Sequence, residues 1–260
     1  MKKYFSFLAI CSLVSFGFVF GAPEDHDESF QTFNPTWVTN ANIGSNGVIN
    51  VTAAAPGEKF FIGGDFTLYK GTTVNRFTRI NSDGSLDTNF SLVVDTAVST
   101  AIGFNGAINT IAIAPGATEQ KYTVFVGGAF TQVRGKVQNR LAKIDCTATE
   151  CHLDTTFVSH LATSGATGVI NAITFAPGGT ADNYQVIIGW LFPKFQDSIQ
   201  NNISRITCTV SGASQSCILN PGTFTTGTQI GTTWAVNAIA IVPGGTPNEY
   251  SIIIGWALTK

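Results

Sequence analysis

Charge is scarce in this 260-residue chain. Only 12% of its residues are Asp, Glu, Lys or Arg, and the formal net charge is -2. No global electrostatic attraction to nucleic acid or to an anionic membrane surface follows from that balance. Histidine is rarer still: the three histidines belong to no recurring pattern, and no C-x-x-C pair occurs. Zinc spacing, a paired-histidine motif, a serine elbow and a phosphate loop are all missing, so no cofactor is implied. Long Glu, Lys and Leu periodicities are absent as well, which argues against extended helices. Hydrophobic residues (44%) and 27 glycines are plentiful instead. That composition suits short strands and tight turns, and the length is compatible with one large all-β domain.

The N-terminus reads as a secretory leader over residues 1–21. Lys2 and Lys3 precede an apolar run from Tyr4 to Phe20, with cleavage expected after Gly21 and Ala22 as the second choice. An uncleaved anchor is the competing reading, and a lipoprotein site at Leu8-Ala9-Ile10-Cys11 is disfavoured by the bulky Ile10. No stable membrane span is expected in 22–260, which reads as a single secreted, periplasmic or cell-surface β-repeat domain. Cysteine usage agrees with export. With Cys11 in the leader, Cys146 and Cys151 form one local pair and Cys208 and Cys217 another, the pattern of disulfides in an oxidising compartment.

A unit of about sixty residues recurs. Its clearest stretch reads GVINVTAAAP, GAINTIAIAP, GVINAITFAP and WAVNAIAIVP, with Asn50, Asn109, Asn171 and Asn237 spaced by 59, 62 and 66 residues. A period of this length means an array of similar supersecondary units. Bulky residues alternate with small ones after each asparagine, which predicts a strand buried on both faces. Pro56, Pro115, Pro177 and Pro243 end it, each followed by glycine. Apolar triplets at Phe60–Ile62, Val124–Val126, Val186–Ile188 and Ile252–Ile254 then run into Gly63, Gly127, Gly189 and Gly255 and read as a second strand. The loop between the two strands is five residues longer in the last three copies and ends in Tyr122, Tyr184 and Tyr250.

A third strand begins at Asn75, Asn139 and Asn201. Its alternation of basic and apolar residues predicts a strand nearer the solvent. A fourth starts at Leu86-Asp87, at Leu153-Asp154 and, in degenerate form, at Leu219-Asn220. Asp27-Glu28-Ser29-Phe30 shares the Asp-x-x-Phe form of that segment. Strands three and four of the first copy are joined through Asp83-Gly84, a hairpin signal. The cysteine pairs stand where that turn is lost, so each disulfide is expected to clip a hairpin end.

Three stretches together resemble the delta-60 repeat family: Phe60–Phe90, Val124–Asp145 and the asparagine strands. The third copy departs from it at Gly189-Trp190, and the fourth stops before a third strand. The resemblance implies a bacterial surface or secreted scaffold of β-propeller-like blades and carries no catalytic residues. The expected fold is therefore all-β, a propeller-like array of about four four-stranded units over residues 27–86, 87–153, 154–219 and 220–260, the last incomplete. The readable segments number fifteen where a four-bladed ring needs about sixteen.

Candidate sites are few. The asparagine column is a ligand ring or, the favoured reading, a set of groups satisfying backbone inside the blades. Asn81, Asp83 and Asp87 have calcium-loop character but read better as a turn. The acidic stretch Glu24–Glu28 reads as a solvated N-terminus rather than a metal site. Trp190 and Trp256 are core residues or, if exposed, sugar platforms. The loops carrying Tyr122, Tyr184 and Tyr250 are the candidate ligand surface, with a surface polysaccharide or protein as partner. Scattered carboxylates that converge would make a carbohydrate-active enzyme the alternative. A sheet edge left open, or a fragment of a longer repeat protein, completes the set, the former implying self-association.

Overall fold

The computed structural model describes residues 44–94, 102–157, 166–190, 194–195, 198–199, 202–211, 214–220, 225–226, 229–230, 235–244 and 249–256. The leader, Cys11, Glu24–Glu28 and Asp27–Phe30 lie outside the described residues. The named elements are all strands, arranged as successive antiparallel sheets. In the first unit, β1 (Val48–Ala55) pairs with β2 (Lys59–Asp65), a small hairpin follows at β3 (Leu68–Tyr69) and β4 (Thr72–Thr73), and β5 (Phe77–Asn81) returns beside β2. These form sheet I. Next comes β6 (Ser91–Val93), which belongs to the following sheet.

The second unit repeats the plan with β7 (Ile108–Ile113), β8 (Tyr122–Gly128), the hairpin β9 (Gln132–Val133) and β10 (Lys136–Val137), β11 (Leu141–Cys146) and β12 (Glu150–Leu153). Sheet II has the order β6-β12-β11-β8-β7. The third unit has β13 (Ile170–Phe175), β14 (Asn183–Trp190), the hairpin β15 (Lys194–Phe195) and β16 (Ser198–Ile199), β17 (Ile203–Ser211) and β18 (Ser214–Asn220), with sheet III in the order β13-β14-β17-β18. The hairpin β19 (Thr225–Thr226) and β20 (Gln229–Ile230) leads to sheet IV, formed by β21 (Ala238–Pro243) and β22 (Tyr250–Gly255).

The expectation of four strands per unit needs revision. Sheet II has five because β6, from the end of the first unit, pairs in parallel with β12: Ser91 opposite Glu150 and Val93 opposite His152. A parallel neighbour cannot come from a hairpin; here it comes from the preceding unit and fastens it to the next. The Asp-x-x-Phe stretch is not a strand either. In the second unit the strand ends at Leu153, and the Asp154 carboxylate accepts from the Thr156 and Phe157 N–H groups. Asp87 does the same for Asn89 N–H. A short carboxylate that bonds its own backbone favours a turn over a ladder.

The first three apolar triplets lie in strands covered on both faces, whereas the fourth does not, Ile253 being 59% exposed. Phe61 faces sheet II in one core with Ile108 and Ile111. Phe125 faces sheet III beside Ile170 and Phe157. Ile187 faces sheet IV beside Val236. Residues flanking these central positions, such as Val124 and Val126, look back toward the preceding sheet. Three sheet-on-sheet cores result, each made of alternate residues from two neighbours.

The glycine after each triplet is where the sheets touch. A Cβ at Gly63 would lie 2.6 Å from Ile108 Cγ2, one at Gly127 2.5 Å from Ile170 Cγ2, and one at Gly189 2.5 Å from Val236 Cγ1. The residue before each asparagine thus seats in the bare backbone of the previous unit, which only glycine allows.

Both disulfides join residues directly opposite in the ladder, Cys146 with Cys151 and Cys208 with Cys217. The first closes its hairpin at the turn, as expected. The second does not mark an end: the β17–β18 pairing continues through Thr209–Ser216, Val210–Gln215 and Ser211–Ser214.

Candidate functional site

The residues that recur in every unit converge at the joints between sheets. Asn50, Asn109 and Asn171 each fall at a register shift between the first two strands, so each is the extra residue of a β-bulge. The bulge turns the side chain toward the next sheet. Asn50 Nδ2 donates to Ile108 O at 2.9 Å, Asn109 Nδ2 to Asn171 Oδ1 at 3.1 Å, and Asn171 Nδ2 to Asn237 Oδ1 at 2.9 Å. The column is therefore an amide ladder running across units. It satisfies groups of the adjoining sheet, not the interior of its own as the sequence suggested.

A second joint uses Arg76 and Arg140, which occupy one repeat position and share a positive φ of 74° and 66°. Left-handed backbone is costly for a long side chain. Here it aims each guanidinium at the next unit, Arg76 Nη1 to Phe104 O at 3.0 Å and Arg140 Nη1 to Ala166 O at 2.9 Å.

The third joint overturns the reading of the third strand as solvent-facing. Arg79 is 1% exposed and Lys143 0%. Arg79 Nε donates to Asp87 Oδ2 at 2.8 Å; its Nη1 donates to Tyr122 Oη at 2.8 Å and to Thr147 O, and Nη2 reaches Ala148 O. Phe90 lies under the guanidinium, 5.2 Å from its carbon. One arginine of sheet I is thus held by sheet II. Lys143 pairs with Asp145 and, at 3.1 Å, with Asp154. Burial raises the pKa of Asp154, but the Lys143 ammonium and bonds from Thr156, Lys143 and Phe157 outweigh it, and the net direction is down. Burial pushes the Tyr122 phenol upward, and this exceeds the opposing pull of Arg79.

These contacts place the loop tyrosines. Tyr122 (4% exposed) and Tyr184 (2%) are buried, Tyr122 against Phe61 and Tyr184 against Phe125 at ring separations of 6.2 and 6.1 Å. Their rings belong to the joints and not to an exposed loop surface; Tyr250 alone is half-buried. The loops themselves do run side by side: a Cβ at Gly57 would meet Glu119, and one at Gly116 would meet Ala181 of the next unit. Trp190 is fully buried, as favoured for a core residue, while Trp256 is 47% exposed. Asn81, Asp83 and Asp87 do not converge. Asp83 accepts from Ser85, Asn81 donates to Ser85 Oγ, and Asp87 faces Arg79. Among the described residues no group of three or more His, Cys, Asp or Glu is arranged to hold a metal ion.

Sequence reading missed one brace. Asn46 Oδ1 accepts from the Thr67 and Leu68 N–H groups, and Asn105 Oδ1 from those of Thr131 and Gln132. The signal was present as an asparagine four residues before Asn50 and again before Asn109.

Two cavities adjoin the joints. A groove of about 470 Å³ between the first two units is lined by Thr72, Phe77, Asp87, Phe90, Leu92 and Arg134. A smaller one of about 270 Å³ lies between sheets III and IV, beside Tyr184, Gln185, Arg205 and Tyr250.

The outer face of sheet IV completes the surface. Phe61, Phe125 and Ile187 occupy one repeat position and are each 0% exposed, whereas Ile253, the fourth in the series, is 59% exposed. Val242 (46%), opposite Ser251 in the ladder, lies on that same face.

Residues 59–90 match a family described as a domain of unknown function (DUF5122) beta-propeller. That stretch is the β2–β5 core of the first unit with its Asp-x-x-Phe turn. The chain matches no curated protein and no solved structure. No helix among the described residues is long and apolar enough to cross a membrane, and the disulfides are compatible with an extracellular setting.

Proposed function

We propose that the chain is a secreted or cell-surface scaffold of delta-60-like repeats that binds a surface polysaccharide and performs no chemistry. One observation carries this reading: the polar residues that recur from unit to unit join one sheet to the next. Asn50, Asn109 and Asn171 bond across units, Arg76 and Arg140 bond forward, and Asp87 and Asp154 neutralise buried cations. Recurrence here serves the scaffold, and function falls to residues that differ between units, on the loops and in the inter-sheet grooves. The two-unit groove, lined by Phe77, Phe90, Thr72 and Arg134, has the mixed lining that sugar recognition uses. Retention of the purified chain on cell-wall polysaccharide, with soluble fragments of it as competitor, tests the reading. Failure to bind any wall fraction, or turnover of one, would overturn it.

The outer face of sheet IV favours a second role, self-association with another copy. The face is the forward half of an interface the molecule makes three times, and its natural complement is the backward half presented by β1. Thr52 and Ala54, the counterparts of Ile111 and Ile113, are exposed there. A two-stranded face is smaller than a standard interface, so association should be weak, on the order of micromolar or weaker. Head-to-tail contact makes a specific mixing prediction. I253K and T52K should each be monomeric alone, yet form one-to-one dimers when mixed. A T52K variant that still associates, or a wild-type chain monomeric at every concentration in analytical ultracentrifugation, rules this contact out.

A further inference from the structure

The three third strands carry a cation at one repeat position: Arg79, Lys143 and Arg205. In the first two units that cation has a carboxylate of its own. Asp87 N–H bonds Arg79 O and its carboxylate takes Arg79 Nε, while Asp154 N–H bonds Lys143 O and its carboxylate takes Lys143 Nζ. In the third unit the residue opposite Arg205 is Asn220. The second acid beside Lys143, Asp145, is likewise replaced, by Thr207. The two neutral groups satisfy each other, Thr207 Oγ1 donating to Asn220 Oδ1 at 2.7 Å. Both carboxylates are gone, yet the cation remains. Among the described residues, buried Arg205 Nε has no hydrogen-bond partner and no carboxylate pairs with Arg205.

The surroundings differ in the same sense. Arg79 is closed over by Tyr122, Thr147 and Ala148 of the next sheet. Arg205 instead borders the 270 Å³ cavity lined by Gly178, Gly179, Tyr184, Gln185 and Tyr250. A buried donor left unpaired is costly, and a planar fork of donors is complementary to a carboxylate.

We propose that this cavity binds a carboxylate carried on a sugar ring, a uronic-acid residue of an acidic polysaccharide, with Arg205 as the carboxylate anchor. Its volume is on the scale of one ring, at the small end of ligand sites. Tyr184 and Tyr250 line it as well, and Gln185 and Asn183 supply neutral polar contacts. The inference rests on the polysaccharide-binding reading and names the chemistry of its ligand.

The test uses the full chain and oligogalacturonate, with the same oligosaccharide methyl-esterified as the uncharged control, by isothermal titration. The acidic form should bind, the ester at least tenfold more weakly, with affinity falling as salt rises. R205Q should lose at least tenfold. N220D returns a carboxylate to Arg205 from within and should also lose at least tenfold, while its thermal midpoint stays at or above that of the parent. That variant keeps the test valid should R205Q fold poorly. Equal affinity for acid and ester, no binding of the acid, or N220D with undiminished affinity would each overturn the proposal. Wall polysaccharide retained at full strength by R205Q sinks this site and leaves the scaffold reading standing. Oligogalacturonate bound through Arg205 with no wall polysaccharide retained does the reverse.

Discussion

Replacing Asp87 tests the joint between the first two sheets. Its side chain and that of Arg79 are 3% and 2% exposed, and their closest approach is 2.8 Å. Deleting one partner of a buried pair leaves the other charged and desolvated, which costs about 3–5 kcal/mol. Two features reduce that figure for D87N. The amide keeps one acceptor oxygen, and Arg79 retains Tyr122 Oη, Thr147 O and Ala148 O. We expect about 2–3 kcal/mol for D87N and about 3–4 for D87A, which leaves no acceptor at position 87. For a domain of this size the smaller loss corresponds to a fall in Tm of roughly 4–12 °C. Lys59, 3.8 Å from the same carboxylate and 30% exposed, adds little.

Urea and thermal unfolding of the oxidised chain measure this, followed by fluorescence and circular dichroism so that stepwise loss of units is visible. The pair is closed to water, so the deficit should persist at high salt, whereas a surface pair would be screened. A D87N deficit below about 0.5 kcal/mol, or one that salt removes, would show that the cation is in effect solvated. Recurring charges would then not be what holds the array together.

Other expectations follow from the same geometry. Y122F removes an acceptor from Arg79 and should cost about 1 kcal/mol, with non-additivity against R79K in a double-mutant cycle. The Tyr122 pKa is raised in the folded state, so its contribution is full below about pH 10 and fades as pH climbs through the folded value; Y122F should flatten that alkaline loss. The Asp154 pKa is lowered, so its contribution is full above the unfolded value of about 4 and is lost on further acidification. Acid titration of D154N should show a shallower decline. G127A drives a methyl to 2.5 Å from Ile170 and 2.8 Å from Thr110 and should cost about 1–3 kcal/mol by calorimetry. Replacing Cys208 and Cys217 together by serine opens a loop of sequence separation 9 and should cost about 2–3 kcal/mol in urea midpoint terms.

The strands were legible because their signals are local. Apolar triplets, the following glycines and the proline stops locate β2, β8, β14 and β22 in the sequence. Contacts between units were not. Alternating Arg79 and Ile80 look like a half-exposed strand, since nothing within β5 says that Tyr122 and Ala148 of the next unit will close over the guanidinium. Ser91–Val93 carries no mark of its parallel pairing with β12, which depends on a crossover from one unit to the next. The asparagine period was plain, but its meaning required the bulge, and a bulge is a property of two strands in register. Tyr122 and Tyr184 looked like loop-tip aromatics because they end the longer loops; they are the first residues of the strand that follows, or next to it, and so point into a core.

Repetition also makes the departures informative. When three units solve one problem alike, a fourth that does not is comparable at fixed geometry. Ile253 keeps the apolar identity of its position and lacks the cover that Phe61, Phe125 and Ile187 have, so its difference lies in the neighbour. Arg205 keeps the cation and lacks the acid, so its difference lies in its own unit. Both departures fall on sheets III and IV, while the family match falls on the first unit. Residues 59–90 thus record what the repeat needs in order to pack, and the later units carry the variation. Binding determinants should accordingly map to Arg205 and to the face of Ile253, and chimeras that give the third unit the Asp87-type acid should lose ligand while keeping the fold. A chimera that keeps its ligand would place recognition in the first-unit groove around Arg134 instead.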